Sequence, residues 1–227
     1  MNSFNRSLKT ILLKDLKTEL RSREFLSTTF MFALLVIVIF NFAFSLTSEN
    51  KPALSAGILW IAFLFAGTLG LGRSFQVEVE NDCIHGLTLA PVDRTALYWA
   101  KCMGNLAFLA AVQAVIIPVY IVLYNINVME FFFRQSAVFL LGDIGFIALG
   151  TLVSAIAVNL RARELLLPVL LLPLLIPLII FAASASSALI NGPDMALFES
   201  RIKFVAAFDV IFFVASSLVF DYIVDEL

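Results

Sequence analysis

Six long apolar runs constrain this chain more than any other feature of its sequence. A helix needs roughly 20 apolar residues, rising about 1.5 Å each, to cross the hydrocarbon core of a bilayer. Four runs of that size contain no charged residue: Phe25–Ser48, Pro52–Gly72, Cys102–Met129 and Leu165–Pro193. Two more contain a single acid, namely Gln135–Leu160 around Asp143 and Phe204–Phe220 around Asp209. The sequence therefore predicts an all-α membrane protein with six transmembrane helices.

The composition excludes other classes of protein. Hydrophobic residues make up 61% of the chain and charged residues 14%, against about 45–50% and about 25% in soluble domains. A stand-alone soluble enzyme is thus excluded, and a net charge of −2 argues against a nucleic-acid-binding chain. The runs are continuous rather than alternating, which favours helices over a β-barrel. We expect one membrane domain over residues 1–227, with short outer loops at 49–52, 125–134 and 191–203.

The distribution of Lys and Arg predicts the orientation. One side of the six spans holds eleven of them: Arg6, Lys9, Lys14, Lys17, Arg21, Arg23, Arg73, Arg94, Lys101, Arg161 and Arg163. The other side holds four: Lys51, Arg134, Arg201 and Lys203. Both termini are therefore expected in the cytoplasm. Cys83 and Cys102 then face the reducing side, where we expect free thiols.

Residues 1–24 have the pattern of an amphipathic elbow helix lying at the membrane interface. One arc of the helical wheel is apolar, with Phe4, Leu8, Ile11, Leu12, Leu16 and Leu20. The opposite arc is basic, with Arg6, Lys14, Lys17 and Arg21. Asp15 and Glu19 interrupt the apolar arc, and Glu19 is spaced to pair with Arg23. The alternatives are a partner-contacting elbow and a charged segment that only sets topology.

The long connection Arg73–Lys101 is predicted to be a cytoplasmic loop that binds a partner, because a plain connection needs fewer residues. It begins with the acids Glu78, Glu80 and Asp82, turns at Gly86, and continues with Leu87, Leu89 and Pro91. Asp93 is placed to cap a helix leading into the third span. The alternative is a solvated connector.

A second cytoplasmic loop, Asn159–Glu164, contains Arg161, Arg163 and Glu164. It precedes a span with three prolines, Pro168, Pro173 and Pro177, which are predicted to kink the helix. Their spacing places Pro173 and Pro177 on one face. A functional hinge and a mere packing irregularity both fit this pattern.

Reactive groups are scarce in the sequence. There is one histidine, His85, and with Cys83 it supplies fewer ligands than a metal centre needs. No phosphate-binding G-x-x-x-x-G-K-[ST] motif occurs. Asp143 and Asp209 lie inside predicted spans, where an acid suggests function by default. They fit either a proton relay or neutral groups hydrogen-bonded to neighbours such as Asn105 or Gln113.

Three stretches carry a family resemblance. Lys14–Glu24 reads KDLKTELRSRE, and Gly150–Pro168 reads GTLVSAIAVNLRARELLLP. Arg73–Lys101 contains F-x-x-E-x-E, then G-L-x-L-A-P-V-D-R, then L-Y-x-x-K. Together with the chain length and the six spans, they resemble the cytochrome c maturation B-subunit (CcmB) family, also called haem exporter protein B.

The resemblance implies an ABC-2-type permease-like fold with a cytoplasmic coupling loop between helices 2 and 3. It implies a second copy of the chain and a soluble ATPase subunit (CcmA). It also implies a haem-handling membrane protein (CcmC), a small membrane companion (CcmD) and a haem chaperone (CcmE). ATP would bind the ATPase and haem the other partners, so this chain would bind no cofactor and catalyse no reaction itself. The expected location is a bacterial inner membrane, with a mitochondrial one as the alternative.

The sequence and the resemblance together predict a transducer that couples ATP hydrolysis on its partner to haem delivery, through release of the haem-loaded chaperone. We expect the ATPase to dock on the loop residues Arg73, Phe75, Glu78, Glu80, Gly86, Leu87, Leu89, Pro91, Asp93 and Arg94. The elbow residues are Lys14, Asp15, Glu19, Arg21 and Arg23. One rival is a stand-alone small-solute secondary transporter, which needs polar groups that meet within the membrane. The other is an intramembrane enzyme, which needs a nucleophile and a base.

Overall fold

Seven helices make up the part of the chain that the computed structural model describes, which is residues 3–21, 23–45, 51–80, 94–127, 130–157, 163–190 and 194–225. They are α1 Ser3–Arg21, α2 Arg23–Ser45, α3 Lys51–Glu80, α4 Arg94–Tyr124, α5 Phe132–Ala157, α6 Arg163–Ile190 and α7 Met195–Asp225. Helices α2 to α7 are long and apolar enough to cross a membrane. The prediction of an all-α protein with six spans is thus confirmed.

Both predicted bounds of the loop Arg73–Lys101 are wrong. Helix α3 continues past Arg73 to Glu80, and α4 already begins at Arg94. Charged residues end an apolar run, but they do not end a helix, because Glu, Gln, Lys and Arg are good helix formers. Residues 81–93 lie outside the described residues, and with them the predicted cap Asp93.

Two outer loops are also shorter than predicted. Helix α7 begins at Met195, so most of the predicted loop 191–203 is helical. Its first turn is capped by Asp194, whose Oδ1 accepts a hydrogen bond of 3.0 Å from the backbone N–H of Leu197. Helix α4 ends at Tyr124, before Asn125, which adopts a left-handed φ of 51°. The third span therefore stops short of the predicted Met129, and the predicted loop 125–134 is shortened only at its other end, where α5 begins at Phe132.

Helix α5 lies at the centre of the bundle, in contact with α3, α4, α6 and α7. Helices α3 and α5 are the most enclosed of the six long helices, while α2 packs on α3 and α4 and leaves most of its surface exposed. Exposed apolar side chains on α2, such as Phe42 at 68% exposure, fit contact with lipid tails.

A stripe of hydrogen-bonding side chains on α4 fixes the packing of the central helices. Its members recur every seven or eight residues, at Tyr98, Asn105, Gln113 and Tyr120, and all are buried. Three reach α5: Tyr98 donates to the Ala148 carbonyl, Asn105 to Thr151 and Gln113 to Asp143, while Tyr120 bonds Ser55 on α3. Polar bonds of this kind specify register between membrane helices. The predicted partnership of Asp143 with Gln113 is confirmed, whereas Asn105 bonds Thr151 instead.

Helix α1 packs on the start of α4 through its apolar arc. Ile11 is buried, and Leu8 and Leu12 pack against the core. The apolar arc that the sequence assigned to the membrane interface is thus partly covered by protein. We call this end of the bundle, where α1 meets the end of α3 and the start of α4, the elbow end.

Candidate functional site

The elbow end contains a charged cluster around a small cavity of about 50 Å³. We define the elbow cluster as Asp15 and Glu19 of α1, Arg73 of α3 and Lys101 of α4. The other residues that line the cavity are Lys14, Leu16, Thr18, Gly70, Ser74, Gly104, Asn105 and Phe108. Three helices that are distant in sequence therefore contribute charges to one place.

Lys101 holds the elbow cluster together. Its side chain is only 2% exposed, and its Nζ lies 3.2 Å from Oδ2 of Asp15 on α1. The same ammonium group donates a hydrogen bond of 2.9 Å to the backbone carbonyl of Ser74 on α3. A buried ammonium group needs such partners, because an unpaired charge away from water is costly. One side chain of α4 thus connects α1 to the end of α3.

Gly104 of α4 lies where α1 approaches that helix. A Cβ built at Gly104 would have the Cβ of Asp15 as its nearest neighbour, at 3.7 Å. A methyl group at Gly104 would thus be in ordinary van der Waals contact with Asp15, the residue that carries the carboxylate partner of Lys101. The close approach is what brings the two charges within reach of each other.

Aromatic rings support the Arg73 side of the cluster. The guanidinium carbon of Arg73 lies 4.5 Å from the centroid of the Phe25 ring, within the range of a cation–π contact. Phe25 in turn stacks on Phe108 of α4, with ring centroids 5.7 Å apart. The end of α3 is thereby anchored to α2 and α4 as well as to Lys101.

Asp15 also interacts with a second lysine. Nζ of Lys14 lies 3.2 Å from its Oδ1, but the Lys14 side chain is 46% exposed. An exposed ion pair contributes little, because water screens it. The two bridges to one carboxylate have the same length and differ in burial, so Lys14 is a natural control for Lys101.

Glu19 lies one helical turn beyond Asp15 and is half-buried. Burial raises the pKa of the Glu19 carboxyl above its ordinary value of 4.5. The positive charge of Arg73 offsets part of that rise, the negative charge of Asp15 adds to it, and Lys101 acts against it. Because burial and these charged neighbours set the pKa of Glu19, that pKa depends on the packing of α1 against α3 and α4.

The structure brings together Lys14, Asp15, Glu19 and Arg73 among the predicted site residues. Others lie on helices but their side chains are outside the described part: Arg21 on α1, Arg23 on α2, Phe75, Glu78 and Glu80 on α3, and Arg163 and Glu164 on α6. Five loop residues and one of the second loop also lie outside the described residues: Gly86, Leu87, Leu89, Pro91, Asp93 and Arg161. Arg94 opens α4 and is exposed.

The predicted kink residues are all inside α6, which runs unbroken from Arg163 to Ile190. Pro173 and Pro177 are both exposed, in agreement with their predicted common face. A fourth proline, Pro118, lies inside α4 and was not singled out from the sequence.

Sequence reasoning missed Lys101 as a functional residue and treated it only as the end of a loop. A signal was present, because Lys101 directly precedes the uncharged run that starts at Cys102. A lysine at the edge of such a run either reaches the water or finds an acid. Only the fold shows that Asp15 is that acid.

Among the described residues, the elbow cluster joins helices through an ion pair, a hydrogen bond and a cation–π contact. Within the described ranges, no group of three or more His, Cys, Asp or Glu side chains is placed to hold a metal ion. The cluster joins α1 to both helices that flank residues 81–93. A displacement of that connecting segment would therefore be transmitted to α1 through Lys101.

Comparison with known proteins assigns a family to this arrangement. The family model described as CcmB protein matches residues 6–222. Among similar proteins is a "Heme exporter protein B" of Rhodobacter capsulatus, 28% identical over 78% of this chain and 80% of that protein. Another of the same name, from Bradyrhizobium diazoefficiens, is 32% identical over 82% of this chain and 84% of that protein. The chain therefore belongs to the CcmB protein family.

Proposed function

We propose that this protein is the membrane (permease) subunit of an ABC-type complex for cytochrome c maturation. The relatives are named as haem exporters, which supports haem delivery as the process served. ATP hydrolysis on a separate, CcmA-like ATPase subunit would supply the energy, since the sequence has no phosphate-binding motif of its own. The work done is the release of a haem-loaded, CcmE-like chaperone.

The link through Lys101 is the observation that carries this proposal. Residues 81–93 connect α3 to α4, and Lys101 ties both helices to α1 within a short distance of that segment. A subunit docked on residues 81–93 would thus move three helices together rather than a loose loop. Glu78, Glu80 and Arg94 would make charge-assisted contacts with the ATPase, and Leu87, Leu89 and Pro91 apolar ones.

The proposed orientation places the elbow end in the cytoplasm. Eleven of the fifteen Lys and Arg residues belong to the side of the membrane with α1, the end of α3 and the start of α4. The bias of basic residues toward the cytoplasm then puts both termini there. The bacterial sources of the relatives support a bacterial inner membrane.

The partners proposed are the ATPase, a second copy of this chain, a CcmC-like haem-handling protein and a small CcmD-like companion. Extraction of the tagged chain in mild detergent, followed by identification of co-purifying chains, tests this set. We expect a soluble ATPase and a haem-containing membrane protein. Recovery of this chain alone, under conditions that preserve its fold, would contradict the proposal.

The coupling step is tested in the purified complex. The variant with Glu78→Ala and Arg94→Ala should lose the ATPase or uncouple its activity from chaperone release. Glu199→Ala is the matched control, since Glu199 is an exposed acid of α7 that pairs only loosely with Lys203, at 3.9 Å. Wild-type coupling in the double variant would remove the α3–α4 connection from the mechanism.

A further inference from the structure

Two acids lie inside the bundle, away from the elbow cluster. Asp143 is near the middle of α5, Asp209 is near the middle of α7, and each is only 5% exposed. We call them the carboxyl pair. The proposed coupling at the elbow end makes no use of either group.

The two carboxyls have very different surroundings. Asp143 accepts a hydrogen bond of 2.7 Å from the side-chain amide of Gln113 on α4. Both carboxyl oxygens of Asp209 are buried and have no hydrogen-bond partner among the described residues. A buried polar atom without a partner is rare in native proteins and calls for an explanation.

Asp209 points toward α5. A Cβ built at Gly145 would collide with Oδ1 of Asp209 and would also touch Leu178 of α6. Gly145 lies two residues beyond Asp143, or about 3 Å of helix rise, so the Asp209 carboxyl lies at nearly the same level of the bundle as Asp143. The unpartnered carboxyl is therefore packed into the contact between α5 and α7, close to a second acid.

The described helices carry no opposite charge at this level. Segments 54–72, 102–124, 135–157, 165–190 and 204–220 contain no Lys, Arg, His or further acid. The groups that face the pair are the Gln113 amide of α4, Leu178 of α6 and, in a groove of about 420 Å³ beside Asp209, the Cys102 thiol. That groove is otherwise apolar and is lined mainly by α4, α5 and α7.

Two ionised carboxylates would repel each other here without any compensating cation, and each would bear the cost of a charge inside a membrane. A proton bound to Asp209 removes the repulsion between the two groups and the charge of the one that has no hydrogen-bond partner among the described residues. It also adds an O–H donor to a group that otherwise has none. A proton is thus the ligand that this arrangement fits.

We propose that the carboxyl pair is a proton-binding site, in which Asp209 carries the bound proton while α7 packs against α5. The proton comes from water and forms an O–H bond with one carboxylate oxygen of Asp209. On release that bond breaks, its electron pair stays on the carboxylate, and the proton returns to water. Loss of the proton leaves a charge pressed against Gly145, so release requires α7 to move away from α5.

The test is infrared spectroscopy of the full chain in lipid nanodiscs, with ¹³C-labelled aspartate to identify the bands. Exposed aspartates are ionised at neutral pH, so a protonated-aspartate C=O band at that pH reports a buried acid. We expect this band in the wild type and in the control Asp194→Asn, an exposed acid that caps α7. We expect its loss in Asp209→Asn. If that variant does not fold, Asp209→Glu serves instead, since its carboxyl lacks the label.

The partnership with Asp143 has its own test. In Asp143→Asn a negative charge next to Asp209 is gone, so the labelled band should titrate at lower pH than in the wild type. The proposal is overturned if the wild type has no protonated-aspartate band at neutral pH. It is equally overturned if Asp209→Asn keeps the band, or if Asp143→Asn leaves the titration midpoint unchanged.

Discussion

Ionisable side chains are buried in two regions of the bundle, and the two regions differ in the partners that these side chains have. At the elbow end, the buried ammonium of Lys101 has a carboxylate at 3.2 Å and a carbonyl at 2.9 Å. Midway along the bundle, Asp209 is equally buried but has neither a cation nor a hydrogen-bond donor among the described residues. The elbow end can keep its charges because they neutralise one another. Asp209 has no such compensation for a charge in the described part of the chain, which makes the first region a joint and the second a candidate proton site.

The sharpest test of this contrast is Lys101→Met against Lys14→Met. Lys101→Met removes the ammonium group that contacts the Asp15 carboxylate and the Ser74 carbonyl. Removal of one partner from a buried ion pair lowers the free energy of unfolding by about 3 kcal/mol. Loss of Lys14 breaks a bridge of the same length in an exposed setting and should cost less than about 1 kcal/mol. Unfolding of both variants in nanodiscs measures the difference. Equal effects would show that burial does not distinguish the two bridges.

The contact between α5 and α7 is probed by Gly145→Ala. The added methyl group collides with the Asp209 carboxyl, and overpacking of this kind costs about 2 kcal/mol. Gly57→Ala on α3 is the control, because a Cβ there meets nothing within 4 Å. It should be neutral or stabilising by about 0.5 kcal/mol. Thermal unfolding of the Gly145→Ala and Gly57→Ala variants measures the difference. Similar unfolding midpoints in the two variants would mean that Asp209 is not held against α5.

Replacement of each acid by leucine separates the two carboxyls. Asp143→Leu leaves the Gln113 amide without its acceptor and should cost about 1.5 kcal/mol. Asp209→Leu removes a polar group that has no partner in the described structure, so it should be neutral or stabilising. Denaturant titrations of the two variants report the sign of each change. The reverse order of stability would break the distinction drawn between the two acids.

The smallest expected effect is on the pH dependence of α1. Burial raises the pKa of Glu19 in the folded protein, so the packing of α1 on the bundle is most stable at low pH. That stability decreases as the pH rises from 4.5 through the raised pKa. Glu19→Gln removes the ionisation and should make amide exchange in α1 independent of pH across that window, after correction for intrinsic exchange. Glu199→Gln, an exposed acid of α7, should leave the wild-type dependence intact.

The sequence predicted more of the fold than of the site. The six spans follow from local run lengths, whereas the loop bounds were wrong at Glu80, Arg94 and Met195, because a helix does not stop where its charges begin. Asp15 and Glu19 were assigned to the elbow helix and Arg73 to the docking loop, and only the fold brings the three together. Lys101 was missed, because no local pattern says which acid a buried lysine will meet.

The sequence by itself determined that this chain crosses a membrane six times, since the hydrophobic effect acts on each run separately and needs no knowledge of its neighbours. It also contained the motifs that place the chain in the CcmB family. Only the tertiary structure decided which charges are compensated. Lys101 meets Asp15, and Asp209 meets no cation among the described residues, because helix packing decides which distant residues come together. The energy of a buried charge depends on what that packing places beside it.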